Sequence, residues 1–256
     1  MSFKFSAPLA GIIAIVLSAT AMAADVPASI TAAVDNPARP AAQRERDAGR
    51  HPAELLAFAG VKPGDKVGDF LMGGGYFTRI FSSAVGPTGR VYAYVPDELT
   101  AIAKGRPPSV SLFAGKPPYA NTRMILQTLP SFSAPEKVDM VFTAQNYHDM
   151  HLAFMGPADL SVVNRRVFQA LKPGGVYIVI DHSAKAGSGL RDSDTLHRID
   201  AAFVRREIEA AGFIFVGESK VLRNAKDPMT ANVFDASIRG KTDQFVYKFR
   251  KPGSAR

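Results

Sequence analysis

Residues 66–78, Lys-Val-Gly-Asp-Phe-Leu-Met-Gly-Gly-Gly-Tyr-Phe-Thr, constrain the fold of this chain more than any other stretch. A short apolar run carries an acidic side chain, Asp69, near its end; glycines occupy 73, 74 and 75; an aromatic pair then opens a helical pattern. In open α/β sheets, ligands bind beyond the carboxyl ends of strands, where strand-to-helix turns of this kind sit. Glycines there adopt backbone angles that other residues avoid, and they let a ligand approach the main chain. A dinucleotide site would space its glycines as G-x-G-x-x-G. Counting from Gly73, the third position is Thr78, so a dinucleotide is not expected.

The rest of the chain repeats the same alternation. Strands are expected at 66–71, 89–95, 124–127, 138–144, 176–181, 213–221 and 244–250. Helical patterns fall at 52–60, 76–84, from about 97, at 160–171 and, as one long helix, at 195–211. Residues 105–121 carry four prolines and read as a loop, and Lys172-Pro-Gly-Gly175 reads as a turn that stops one helix and starts the next strand. Alternating strands and helices predict a mostly parallel sheet covered on both faces. The last two strands have no helix pattern between them, which predicts an antiparallel edge.

Two further segments extend the argument. Residues 138–149, Val-Asp-Met-Val-Phe-Thr-Ala-Gln-Asn-Tyr-His-Asp, form an apolar strand followed by a polar end. Residues 170–182, Ala-Leu-Lys-Pro-Gly-Gly-Val-Tyr-Ile-Val-Ile-Asp-His, form a turn and another strand. Together with Asp69, Gly73, Gly75 and Tyr76-Phe77-Thr78, and in this order, they resemble the motifs of class I S-adenosylmethionine-dependent methyltransferases over about residues 53–252. More narrowly, Gly-Gly-Gly-Tyr, Asn-Tyr-His-Asp and residues 238–246 look like a bacterial group of exported, predicted methyltransferases. The resemblance implies a Rossmann-like, doubly wound, seven-stranded sheet with an antiparallel last strand. It implies S-adenosylmethionine as cofactor, held by Asp69, Gly73, Gly74, Gly75, Tyr76, Asn146 and Tyr147. Two positions depart from the pattern. Leu71 stands where the loop's first glycine is usual, and Val95 stands where an acid usually meets the ribose hydroxyls. Asp97 or Glu98 is the expected substitute.

The polar strand ends carry the candidate chemistry. His148 is a candidate general base for a hydroxyl or amine, because an imidazole titrates near neutrality. Asp149 would orient it, and Tyr147 would stack on an adenine. His182 is a second candidate base. The plainer alternatives are that Asp69 caps the following helix and that His148 ties down a loop. His151 makes a His-x-x-His pair with His148, but the spacing is not a recognised metal motif, so no metal is expected. His197 reads as structural. The polar loop 183–194 is a candidate lid.

The amino terminus reads as a signal peptide over 1–23. Lys4 precedes an apolar stretch at 10–21 and Ala21-Met22-Ala23 offers a cut after Ala23. The apolar stretch is shorter than a membrane span, so no stable span is expected after cleavage, and the mature chain is expected to be periplasmic or secreted. Residues 24–51 read as a leader with one or two short helices, ahead of the domain at 52–256. The chain has no cysteine, which excludes disulfides, thiolate zinc sites and a cysteine nucleophile. Its net charge of +8 is scattered, without the aromatic-interleaved basic stripe of a nucleic-acid binder. A small organic substrate is expected, and nothing in the sequence speaks to oligomeric state. Two functional readings follow: methyl transfer to an oxygen or nitrogen of a small acceptor, or a periplasmic binding protein that kept the fold and lost the reaction.

Overall fold

The computed structural model describes residues 26–156 and 158–253. The expected signal peptide and its cut lie outside them. Seven strands form one sheet: β1 (Lys66–Phe70), β2 (Arg90–Pro96), β3 (Thr122–Gln127), β4 (Val138–Ala144), β5 (Leu171–His182), β6 (Ile214–Ser219) and β7 (Gln244–Arg250). Their order is β3-β2-β1-β4-β5-β7-β6. The first five run parallel, and β7 lies antiparallel to both β5 and β6. This is the doubly wound α/β architecture expected from the alternation.

Helices cover both faces. Side chains alternate along each strand, so Val67, Met140, Phe142, Ile178 and Ile180 face one layer while Phe70, Val141, Tyr177 and Val179 face the other. The first layer holds α1 (Ala28–Val34), α4 (Pro52–Ala59) and α5 (Tyr76–Val85). Phe77 and Phe81 of α5 pack on Phe142 at 4.7 and 5.0 Å between ring centroids, each such ring contributing roughly 2–3 kcal/mol by burial. The second layer is built on α7 (Leu160–Ala170) and α9 (Ala201–Ala210). The leader forms three helices where one or two are expected, α1 and the single turns α2 (Ala41–Arg44) and α3 (Asp47–Arg50). A short α6 (Asp97–Ile102) follows β2. No helix among the described residues is long and apolar enough to cross a membrane.

Two segments differ from expectation. The Lys172-Pro-Gly-Gly175 turn does not stop α7. Leu171 does so by turning extended at φ −75° and ψ 145°, and β5 begins there, with a register shift against β4 between Leu171 and Val176. A Cβ at Gly175 would come within 3.0 to 3.1 Å of the Lys172 and Asp139 carbonyls, so glycine lets the strand close on β4. The predicted long helix at 195–211 is two helices, α8 (Ser193–Leu196) and α9. His197 takes φ 53° between them, Ile199 bridges to Ser183, and Arg198 is buried against Asp227 at 2.8 Å. Asp200 then caps α9 by accepting the Ala202 N–H at 2.9 Å.

Candidate cofactor and substrate site

The turn after β1 is held from both sides. Asp69 is buried and accepts the Thr78 hydroxyl of α5 at 2.5 Å. Burial pushes its carboxyl up to about 7, against the opposing effects of Thr78 and Arg50. Leu71 takes φ 57°, a left-handed angle that glycine adopts at no cost. Its carbonyl accepts Asn146 Nδ2 at 2.9 Å, and the same amide donates to the Ala144 carbonyl at 2.7 Å. Asn146 therefore braces the turn where the usual glycine is missing. A Cβ at Gly73 or Gly74 would meet nothing within 4 Å, so that side of the turn is open. A Cβ at Gly75 would strike the Phe113 ring at 2.7 Å.

Two cavities flank this turn and share Leu71, Met72 and Gly73. One, about 290 Å³, lies beyond β2 and is lined by Tyr94, Val95, Leu99, Thr100, Arg106 and Ser109 among others. Neither expected acid reaches it. Asp97 is exposed at the start of α6, and Glu98 is turned away to accept the Leu129 N–H at 3.0 Å. The other cavity, about 190 Å³, is lined by Asp69, Gly73, Gly74, Tyr76 and Asn146, and by Arg46 and Arg50 of the leader.

Those arginines carry no sequence signal beyond a basic leader, yet they build a wall of the site. Arg39 is fully buried and pairs through two bonds, at 2.8 and 2.7 Å, with Asp47, which also accepts the Tyr76 hydroxyl at 2.5 Å. The Arg50 guanidinium lies 4.4 Å from the Tyr76 ring centroid and 5.0 Å from that of Phe77. Arg50 donates to Gln145 Oε1 at 3.1 Å and has no ion-pair partner among the described residues. Burial and the like charge of Arg46 lower it to about 10, so it stays cationic at neutral pH. A third cavity, about 610 Å³, shares Arg46, Arg50 and Gln145 with the second and adds His182, Phe234, Arg239 and Thr242.

The two candidate bases, His148 and His182, sit in opposite electrostatic surroundings. His148 Nδ1 lies 2.9 Å from Asp181 Oδ1, and its own amide donates to Asp181 Oδ2 at 2.7 Å. Its Nε2 lies 3.2 Å from Asp149 Oδ1. Burial alone would lower this imidazole, but Asp181 and Asp149 outweigh it and raise it to about 10. His148 thus keeps its proton at neutral pH and cannot serve as a base there. His182 is lowered to about 4, chiefly by burial; it is neutral, lines the large cavity, and its Nδ1 lies 2.7 Å from Thr242 Oγ1. Tyr147 is fully buried, donates its hydroxyl to Glu207 at 2.6 Å and accepts Asn164 Nδ2 at 2.8 Å. It lines none of these cavities, so it cannot stack on an adenine.

Solved structures share this fold. A chain described as an S-adenosylmethionine-dependent methyltransferase from Aquifex aeolicus matches at a TM-score of 0.52 and 19% identity, over 77% of this chain and 88% of its own. The fold is that of the S-adenosylmethionine-dependent methyltransferases. A chain from the Haloferax volcanii complex of the Trm112 methyltransferase activator with a putative methyltransferase matches at 0.54 and 16%, over 84% and 93%. The cyclase SpnF matches at 0.57 and 16%, over 84% and 82%, so this fold does not by itself fix the reaction. No protein-family model and no curated protein matches the chain.

Of the residues that the methyltransferase resemblance marks for the cofactor, Asp69, Gly73, Gly74, Tyr76 and Asn146 line the cavity beside the turn. Gly75 backs onto Phe113 instead. Asp97 and Tyr147 stand apart from the cleft.

Proposed function

We propose that this chain transfers a methyl group from S-adenosylmethionine to an oxygen or nitrogen of a small organic acceptor. The observation that carries the reading is Arg50, a largely buried cation without a carboxylate partner, at the junction of the cavity beside the glycine turn and the larger cavity. A buried cation is costly unless paired, and the carboxylate of the cofactor's methionine part fits as its partner. The open backbone at Gly73 and Gly74 admits that part of the ligand. The cavity beyond β2, with Tyr94, Val95 and Leu99, suits an adenine, and Thr100 and Ser109 take the place of the missing ribose acid. The bound cofactor supplies an electrophilic methyl group. Arg50 and the turn position it, and the acceptor's hydroxyl or amine would lie in the larger cavity, lined by the neutral His182, with its proton passing to water. Much of the acceleration comes from holding the two reactants in line. We infer that the enzyme acts outside the cytoplasm after cleavage following Ala23, in keeping with the exported group whose motifs it resembles.

Calorimetry of the mature protein with S-adenosylhomocysteine tests the reading. Binding is expected, and none at millimolar ligand would overturn it. Binding without turnover on any small acceptor would leave a ligand-binding role for the fold.

A further inference from the structure

Three ligand atoms converge just past the end of β4. His148 Nε2 lies 3.2 Å from Asp149 Oδ1 and 3.2 Å from His197 Nδ1, and His197 Nδ1 lies 3.7 Å from Asp149 Oδ1. A tetrahedral cation with bonds of about 2.1 Å holds neighbouring ligand atoms about 3.4 Å apart. The triangle therefore has the size of one face of such a site. Separate segments deliver its corners. The single 3₁₀ turn His148–His151 presents His148 and Asp149, and the left-handed residue that ends α8 presents His197.

The surroundings support a ligand role for His148. Its Nδ1 faces Asp181, which is fully buried and also accepts the amide N–H groups of His148 and His182 at 2.7 and 2.8 Å. Asp181 is thereby locked, and it fixes the ring with Nε2 aimed at the other two ligands. A carboxylate behind a histidine orients the ring and raises its basicity in metal sites. The side chains of Asp149 and His197 remain 23% and 26% exposed, against 3% for His148. The triangle is open to water on that side, as sites that exchange a ligand are. The Phe234 ring packs 5.0 Å from that of His197 and also lines the large cavity with His182.

We propose that His148, Asp149 and His197 bind a divalent transition-metal cation such as zinc(II), with at least one position left for water or an acceptor atom. Two imidazoles and one carboxylate favour such a cation over magnesium or calcium, which seek oxygen shells. Without a cation, the same point is taken by the His148 Nε2 proton, which Asp149 accepts. The sequence expectation of no metal rested on local spacing. His151, the local partner, points away and meets Glu207 at 3.2 Å, whereas the true third corner lies 49 residues beyond His148. The inference does not depend on methyl transfer, and its test needs no cofactor.

The mature protein, stripped with a chelator, is titrated with zinc(II) and cobalt(II). One equivalent of each is expected to bind, with visible cobalt bands of a low-coordinate nitrogen–oxygen site and a melting temperature raised by zinc and not by magnesium. His197→Asn, chosen because asparagine tolerates left-handed angles, and Asp149→Asn should each abolish stoichiometric binding while circular dichroism stays unchanged. Asp181→Asn should weaken binding about 10- to 100-fold, and His51→Ala, on the exposed leader, should not change it. Failure to bind zinc at micromolar concentration, or undiminished binding by both His197→Asn and Asp149→Asn, would overturn the site.

Discussion

Tyr76 donates its hydroxyl to Asp47, and the same carboxylate holds the buried guanidinium of Arg39. One side chain thus fastens the leader to the first residue after the glycine turn. Asp47→Ala leaves Arg39 as a buried charge without its partner, at a cost of about 3 kcal/mol. Tyr76→Phe removes one hydrogen bond and costs about 1 kcal/mol. Equal losses in urea denaturation would contradict this division.

Arg50 answers differently to substitution. Arg50→Met removes an unpaired, largely buried cation, so the melting temperature of the unliganded protein should not fall. Binding of S-adenosylhomocysteine should weaken about 10- to 100-fold, the worth of one charge-assisted hydrogen bond. A variant with lower stability and unchanged affinity would remove Arg50 from the site.

Asp69 imposes a pH dependence with a definite sign. Its carboxyl sits at about 7 in the folded protein against an ordinary 3.8. Between these values the unfolded chain has released the proton that the folded chain keeps, so stability from this group falls as pH rises from about 4 to 7 and is level above. Asp69→Asn keeps an acceptor for Thr78 and removes the titration. The melting temperature of the variant relative to wild type should rise across that window; parallel curves would show that Asp69 titrates normally.

Arg198 and Asp227 form an ion pair with both side chains fully buried, and Asp227 also accepts the Asp243 N–H at 2.7 Å. Asp227→Ala should cost about 3–5 kcal/mol. Because this pair anchors the connection 220–243, limited proteolysis of the variant should cut there first.

The sheet was legible wherever neighbours along the chain determine structure. β4 and β7 occupy the expected residues because a mostly apolar run and a strand of alternating aromatics each carry their own pattern. The break at His197 was not legible. It depends on Arg198 finding Asp227, 29 residues later. The site divides in the same way. The glycine turn and Asn146 announce themselves locally. The protonation of His148 is set by Asp181, 33 residues on, and Arg50 looks like any arginine of a basic leader until the fold lays it over Tyr76.

The place of β7 in the sheet has a consequence for how the chain is made. Among the described strands it comes last in sequence, yet it sits between β5 and β6, and β6 pairs with no other described strand. A nascent chain that ends before Gln244 leaves β5 with a bare hydrogen-bonding edge and β6 with nothing to pair with, both invitations to aggregate. Assembly of this edge of the sheet therefore waits for Gln244–Arg250, so β6 joins the fold only through a segment that follows it in the chain.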